Sequence, residues 1–87
     1  MPRIFIPPSL RDLSGGETEL QLDGANLRQI IVALDQEYPG FAARLCDGDS
    51  LAAGVAVAVD GVFVPRSLLV KVSPNAEVHF LPAIAGG

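Results

Sequence analysis

Cysteine is almost absent: Cys46 stands alone, so no internal disulfide can form and a disulfide-stapled secreted scaffold is excluded. Histidine is equally scarce. His79 is the single imidazole, and no Ser or Cys has a His/Asp constellation around it for nucleophilic catalysis. Basic residues are few, six against ten acidic ones, for a net charge of -4 and a pI near 4.6. A nucleic-acid binder carries a basic face, whereas an acidic surface suits a basic protein partner. Apolar runs stay far short of the ~20 residues that span a bilayer. The opening Met1-Pro2-Arg3-Ile4-Phe5 has no signal-peptide stretch. These shortages predict a soluble cytoplasmic protein with neither nucleic acid nor membrane as partner. Asp47-Gly48-Asp49 lacks the spaced ligands and late Glu of a calcium loop. With no phosphate loop or metal-ligand cluster, no metal or cofactor is expected on this chain.

What is present suffices for one small core. Eighty-seven residues that are 49% hydrophobic, with a mean hydropathy of +0.40, argue against disorder. Arg3-Ile4-Phe5-Ile6 reads as a strand closed by Pro7-Pro8, and Glu17 to Leu22 alternates as a half-buried strand. Between them, Ser9 to Ser14 is a loop ended by Gly15-Gly16. Leu27, Ile30, Ile31, Leu34 and Tyr38 recur at helical spacing behind a capping pattern, Asn26 with Gln29. Pro39-Gly40 stops that helix. Its face of Arg28, Asp35, Gln36 and Glu37 is expected to be solvated.

Phe41 to Leu45 reads as a further helical turn and Asp47 to Ser50 as a surface loop. Val55 to Val59 is a strand, either buried on both sides or with its alanines lining an exposed face. Asp60-Gly61 is a tight-hairpin signal returning through Val62-Phe63-Val64. Pro65 to Val72 is a crossover, Ser73 to Ala76 a turn, and Glu77 to Leu81 the last strand. Pro82 lacks an N–H, so the chain should leave the sheet there. The predicted fold is α+β: a mixed sheet of four or five strands on one main helix, with the last strand between the first and the third. This is the β-grasp, or ubiquitin-like, order. The expected division is a β-grasp domain over 1–82 and a flexible tail over 83–87.

The tail ends in Gly86-Gly87. Glycine threads a narrow channel and brings its carbonyl close to a ligand. A terminal carboxylate is an anion at neutral pH. It can attack the α-phosphate of ATP to form an acyl-adenylate, and no side chain then hinders the nucleophile that displaces AMP.

The order and spacing of several pieces resemble the MoaD/ThiS family of bacterial ubiquitin-like sulfur carriers. Those pieces are Leu10-Arg11-Asp12-Leu13 with Gly15-Gly16, the helix entry Gly24-Ala25-Asn26-Leu27, and the exit Tyr38-Pro39-Gly40-Phe41. The hairpin Val57-Ala58-Val59-Asp60-Gly61 and the ending Phe80-Leu81-Pro82-Ala83-Ile84-Ala85-Gly86-Gly87 complete them. The resemblance implies a carrier rather than an enzyme. An E1-like adenylating enzyme would activate Gly87 with ATP, and a sulfur donor would convert the adenylate to a thiocarboxylate. A sulfur-accepting synthase would then take the sulfur into molybdopterin, cysteine or a related product. Ile84, Ala85 and Gly86 would thread the partner, and ATP and any metal would belong to that partner. The carrier would be a monomer alone or a hetero-oligomer with its partner. The opening Ile6-Pro7-Pro8-Ser9-Leu10-Arg11 and the tail look closer to carriers for cysteine or secondary-metabolite sulfur.

Arg11, His79 and Leu81 are the candidate docking residues. By strand alternation His79 points to the outer sheet face. Arg11 either braces its loop or meets an acidic group on the partner. Cys46 reads as an apolar filler, since nothing basic flanks it in sequence; a sulfur-relay role is the alternative. Two other functions stay open. One is a protein modifier conjugated through Gly87, for which Lys71 is the only lysine available to self-chains. The other is a β-grasp interaction module with an inert tail.

Overall fold

The structure, a computed structural model, describes residues 1–83. Five strands form one mixed sheet: β1 (Arg3–Phe5), β2 (Glu19–Gln21), β5 (Val55–Val59), β6 (Val62–Phe63) and β7 (Glu77–Pro82). Their order across the sheet is β2-β1-β7-β5-β6. β1 runs parallel to β7, and the β1–β2, β5–β6 and β5–β7 pairs are antiparallel. A parallel pair needs a long crossover, and here most of the chain serves as one. This is the β-grasp arrangement, with the last strand in the middle as expected.

Helix α1 (Leu27–Glu37) covers one face of the sheet. The Asn26 side chain accepts from the Gln29 N–H at 2.9 Å. Gln29 returns the favour one residue early, its Oε1 accepting from the Ala25 N–H at 2.7 Å. Leu27, Ile30, Ile31 and Leu34 are buried. Each such side chain contributes about 1.5–3 kcal/mol relative to exposure. They share a single core with Ile4, Val57, Val78 and Phe80 of the sheet. Gly24 leads into the helix with no room for a side chain: a Cβ there would sit 2.9 Å from Ile30 Cδ1 and 3.0 Å from the Ile30 backbone nitrogen.

The helix ends where the sequence ends it. Tyr38, preceding Pro39, is extended, and Gly40 takes φ 115° before α2 (Phe41–Leu45). Asp35 departs from expectation. It is half-buried rather than solvated, and its Oδ1 accepts from Gly40 N–H at 3.0 Å and Ala42 N–H at 2.9 Å. One carboxylate thus caps the next helix.

Two further differences follow from strand length. Residues around the expected Asp47–Ser50 loop form a small hairpin of β3 (Cys46–Asp47) and β4 (Ser50–Leu51). Two-residue strands are too short to show alternation. β7 also continues through Pro82, which pairs with Val55, and the Ala83 N–H then donates to the Gly54 carbonyl at 2.9 Å. Pro82 is tolerated because the strand pairing at that end needs no N–H from it.

The hairpin signal is realised as two consecutive left-handed residues, Asp60 (φ 51°) and Gly61 (φ 83°). Asp60 adds an anchor: its Oδ1 accepts from the Glu77 N–H at 3.0 Å. Of the two options for β5, the valines face the helix side and the alanines the other face. Ala56 there is half-exposed.

Candidate docking face and tail exit

The uncovered side of the sheet follows from register. Phe5 lies opposite Glu19 on one flank and His79 on the other. His79 lies opposite Ala58, and Ala58 opposite Phe63. Side chains directly opposite in a sheet share a face, so Glu19, Phe5, His79, Ala58 and Phe63 form one row across all five strands. Phe5 and His79 stack, with ring centroids 4.2 Å apart and planes 2° from parallel. Ala58, the smallest side chain of the row, stands between His79 and Phe63, and Phe63 is 69% exposed at the far edge. The next row towards the tail holds Leu81 opposite Ala56.

A charged corner borders this apolar row. Arg3 pairs with Glu77 at 2.9 Å and lies 3.9 Å from Glu19, its guanidinium 5.5 Å from the Phe5 ring centre. His79 Nε2 is 3.7 Å from Glu77 Oε1. These groups are half-exposed, so the pairs orient side chains more than they stabilise the fold.

All three candidate docking residues line one depression, with Phe5, Thr18 and Pro82. His79 and Leu81 face outward from β7 as alternation requires. Arg11 braces its loop, its Nε donating to the Ile6 carbonyl at 3.0 Å, and it also lines the depression. Phe5 and Phe63 belong to the same face but were not singled out by sequence. Alternation in the first strand was a signal that could have found Phe5; nothing local marked Phe63. The expected threading residues Ile84, Ala85 and Gly86, and the reacting residue Gly87, lie outside the described residues.

Cys46 is half-buried at the start of β3. Burial pushes its thiol above the ordinary value; Arg28 pulls it down and Asp35 adds to the rise. Arg28 is therefore near in space although distant in sequence, yet desolvation wins. A raised pKa means little thiolate at neutral pH. The unfolded chain ionises first, so this thiol contributes stability that is lost as pH rises past its ordinary value. Cys46→Ser is expected to cost ~1–3 kcal/mol, and chemical unfolding of the variant checks it. Arg28 itself pairs with Asp49 at 2.9 Å across the exposed hairpin tip. Among the described residues no group of three or more His, Cys, Asp or Glu is placed to hold a metal ion. No helix among them is long and apolar enough to cross a membrane.

Comparison with known proteins gives this geometry a context. The sulfur carrier protein CysO of Mycobacterium tuberculosis is 29% identical over 89 residues, covering 97% of this chain and 96% of its own. A chain in the crystal structure of the Amycolatopsis orientalis BexX/CysO complex superposes with a TM-score of 0.90 at 30% identity, covering 100% of both chains. The small archaeal modifier protein 1 of Methanosarcina acetivorans shares the fold, with a TM-score of 0.78 at 21% identity, covering 99% of this chain and 95% of its own. The ThiS family model matches residues 4–87, from the first strand through the terminal glycine pair, and the chain belongs to the ThiS family.

Proposed function

We propose that this chain is a sulfur carrier and not itself a catalyst. The observation that carries the reading is the family match through Gly87, joined to the full-length likeness to sulfur carrier protein CysO. In this reading the carboxylate of Gly87 attacks the α-phosphorus of ATP in an E1-like partner and displaces pyrophosphate. Sulfide then attacks the glycine carbonyl and AMP leaves; a persulfide donor gives an acyl disulfide instead, and a thiol must attack its donor-side sulfur, forming a disulfide with the donor, to release the terminal sulfur. The product is a terminal thiocarboxylate. A second partner, a synthase, accepts the sulfur for a product such as cysteine. ATP is bound by the activating partner, and the carrier acts as its co-substrate in the cytoplasm.

The physical case rests on a division of labour. Gly87 reacts, Ile84, Ala85 and Gly86 thread, and the outer sheet face docks through His79, Leu81 and Arg11, with Phe5 and Phe63 extending it. The BexX/CysO complex supports a protein partner for this type of chain. An apolar centre with a charged rim is the usual anatomy of such an interface.

The experiment is direct. Incubation with an E1-like adenylating enzyme, ATP and a sulfur donor should raise the intact mass by the difference between sulfur and oxygen. Fragmentation should place the increment on Gly87. An increment on Cys46 would replace the reading with a thiol relay, and conjugates to target lysines alone would replace it with a protein modifier.

A further inference from the structure

Arg66 sits on the crossover after β6, and no sequence motif singles it out. Its guanidinium reaches back to the segment between β4 and β5. Nη1 donates to the Val55 carbonyl at 3.0 Å, and Nη2 donates to the Leu51 carbonyl at 2.6 Å and to that of Ala52. The Arg66 carbonyl in turn accepts from the Leu51 N–H at 3.0 Å. Three carbonyl oxygens gathered at one point repel one another. A planar cation with forked N–H donors relieves that repulsion, which a point-charge ammonium matches less well.

The clamped segment contains Gly54, the acceptor for the Ala83 N–H at 2.9 Å. This is the last bond on the chain's path among the described residues. Packing does not hold Gly54: a Cβ built there meets nothing within 4 Å. Its backbone neighbours are tied by Ala52 N–H to Leu45 and by Val55 N–H to Ala52. The Arg66 bonds bracket Gly54 on both sides.

We infer that Arg66 is a positioning residue for the C-terminal tail. By clamping Leu51, Ala52 and Val55 it sets the Gly54 carbonyl, and through the Ala83 bond the point and direction in which the chain leaves the sheet. The consequence for activation rests on the carrier reading; the clamp itself does not. Each residue beyond Ala83 extends reach by at most ~3.6 Å, so a misdirected exit displaces the reacting carboxylate. Docking through the outer face is untouched, and the loss falls on the docked complex.

The test has two arms on the full chain. By NMR amide exchange, Ala83 in Arg66→Ala should exchange about tenfold faster or more, while the β5–β7 ladder amides keep wild-type rates. Arg66→Lys should fall between. With an adenylating enzyme that supports ATP–pyrophosphate exchange by the wild-type chain, Arg66→Ala should lower kcat about tenfold. Its KM for the carrier should stay within about twofold. Wild-type exchange at Ala83 in folded Arg66→Ala overturns the inference, as does a raised KM with unchanged kcat. Should Arg66→Ala not fold, unchanged Ala83 exchange in Arg66→Lys overturns it equally. A wild-type chain that supports no pyrophosphate exchange removes the carrier reading, and the amide measurement still decides the clamp.

Discussion

Deleting Gly87, or adding one residue after it, is expected to abolish ATP–pyrophosphate exchange while changing folding stability by less than ~0.5 kcal/mol. The reason is geometric. In the proposed reaction the attacking group is the carboxylate of Gly87, which must reach the α-phosphorus in line. A chain one residue shorter places the carboxylate ~3.6 Å short of its mark, and a misplacement of even 1 Å costs about a hundredfold. A longer chain puts an amide where the anion should be, and an amide oxygen is a far weaker nucleophile. The core is built by Ile4, Phe80 and, from α1, Leu27, Ile30, Ile31 and Leu34, all of them buried, and none of these side chains is altered. Pyrophosphate exchange at the wild-type rate with a blocked terminus would end the carrier model. Thermal unfolding of the same variants checks that the fold survives.

Phe63→Asp and His79→Asp are expected to weaken binding to the adenylating partner about 10- to 100-fold, with kcat at saturation little changed. Phe63 is exposed, so its replacement costs the fold little. An aromatic side chain that becomes buried in a complex is worth about 2 kcal/mol or more when it is a hot spot, and a carboxylate forced against apolar surface adds a desolvation cost. His79 gives up its stack on Phe5 and brings a second negative charge beside Glu77. Val32, exposed on the opposite, helical side, serves as the control: Val32→Asp should leave affinity unchanged. Isothermal titration with the partner separates these outcomes. Equal affinities for all three variants would remove the outer sheet face from the docking model.

Some of this molecule was legible residue by residue. Helix α1 was, because its signals are local: four apolar residues at helical spacing, a cap three residues before its N–H donor, and a Pro-Gly stop. Asp60-Gly61 was, because a two-residue turn needs two left-handed residues and little else supplies them so readily. The chemistry assigned to Gly86-Gly87 was also read from the chain itself, since it depends on what glycine lacks.

Other features depend on segments meeting that are far apart in sequence. Asp35 looks like a solvated helix residue until the chain turns back at Gly40 and brings two N–H groups to its carboxylate. Arg66 is one more charge in a crossover until it meets Leu51, Ala52 and Val55. Phe5, His79 and Phe63 are three isolated aromatic rings until Arg3 pairs with Glu77 and Ala58 with both His79 and Phe63. Alternation told which way each strand's side chains point, but not which residue of the next strand stands opposite. A slip of one residue would have sent Phe63 to the helix side. Sequence by itself determined the main elements and the fold class, because these follow from interactions over a few residues, and the proposed chemistry of the glycine pair rests on the sequence too. The outer-face row and the carbonyl clamp were decided only by the tertiary structure, because strand register and a reach of 11 to 15 residues are settled by the packing of the whole chain.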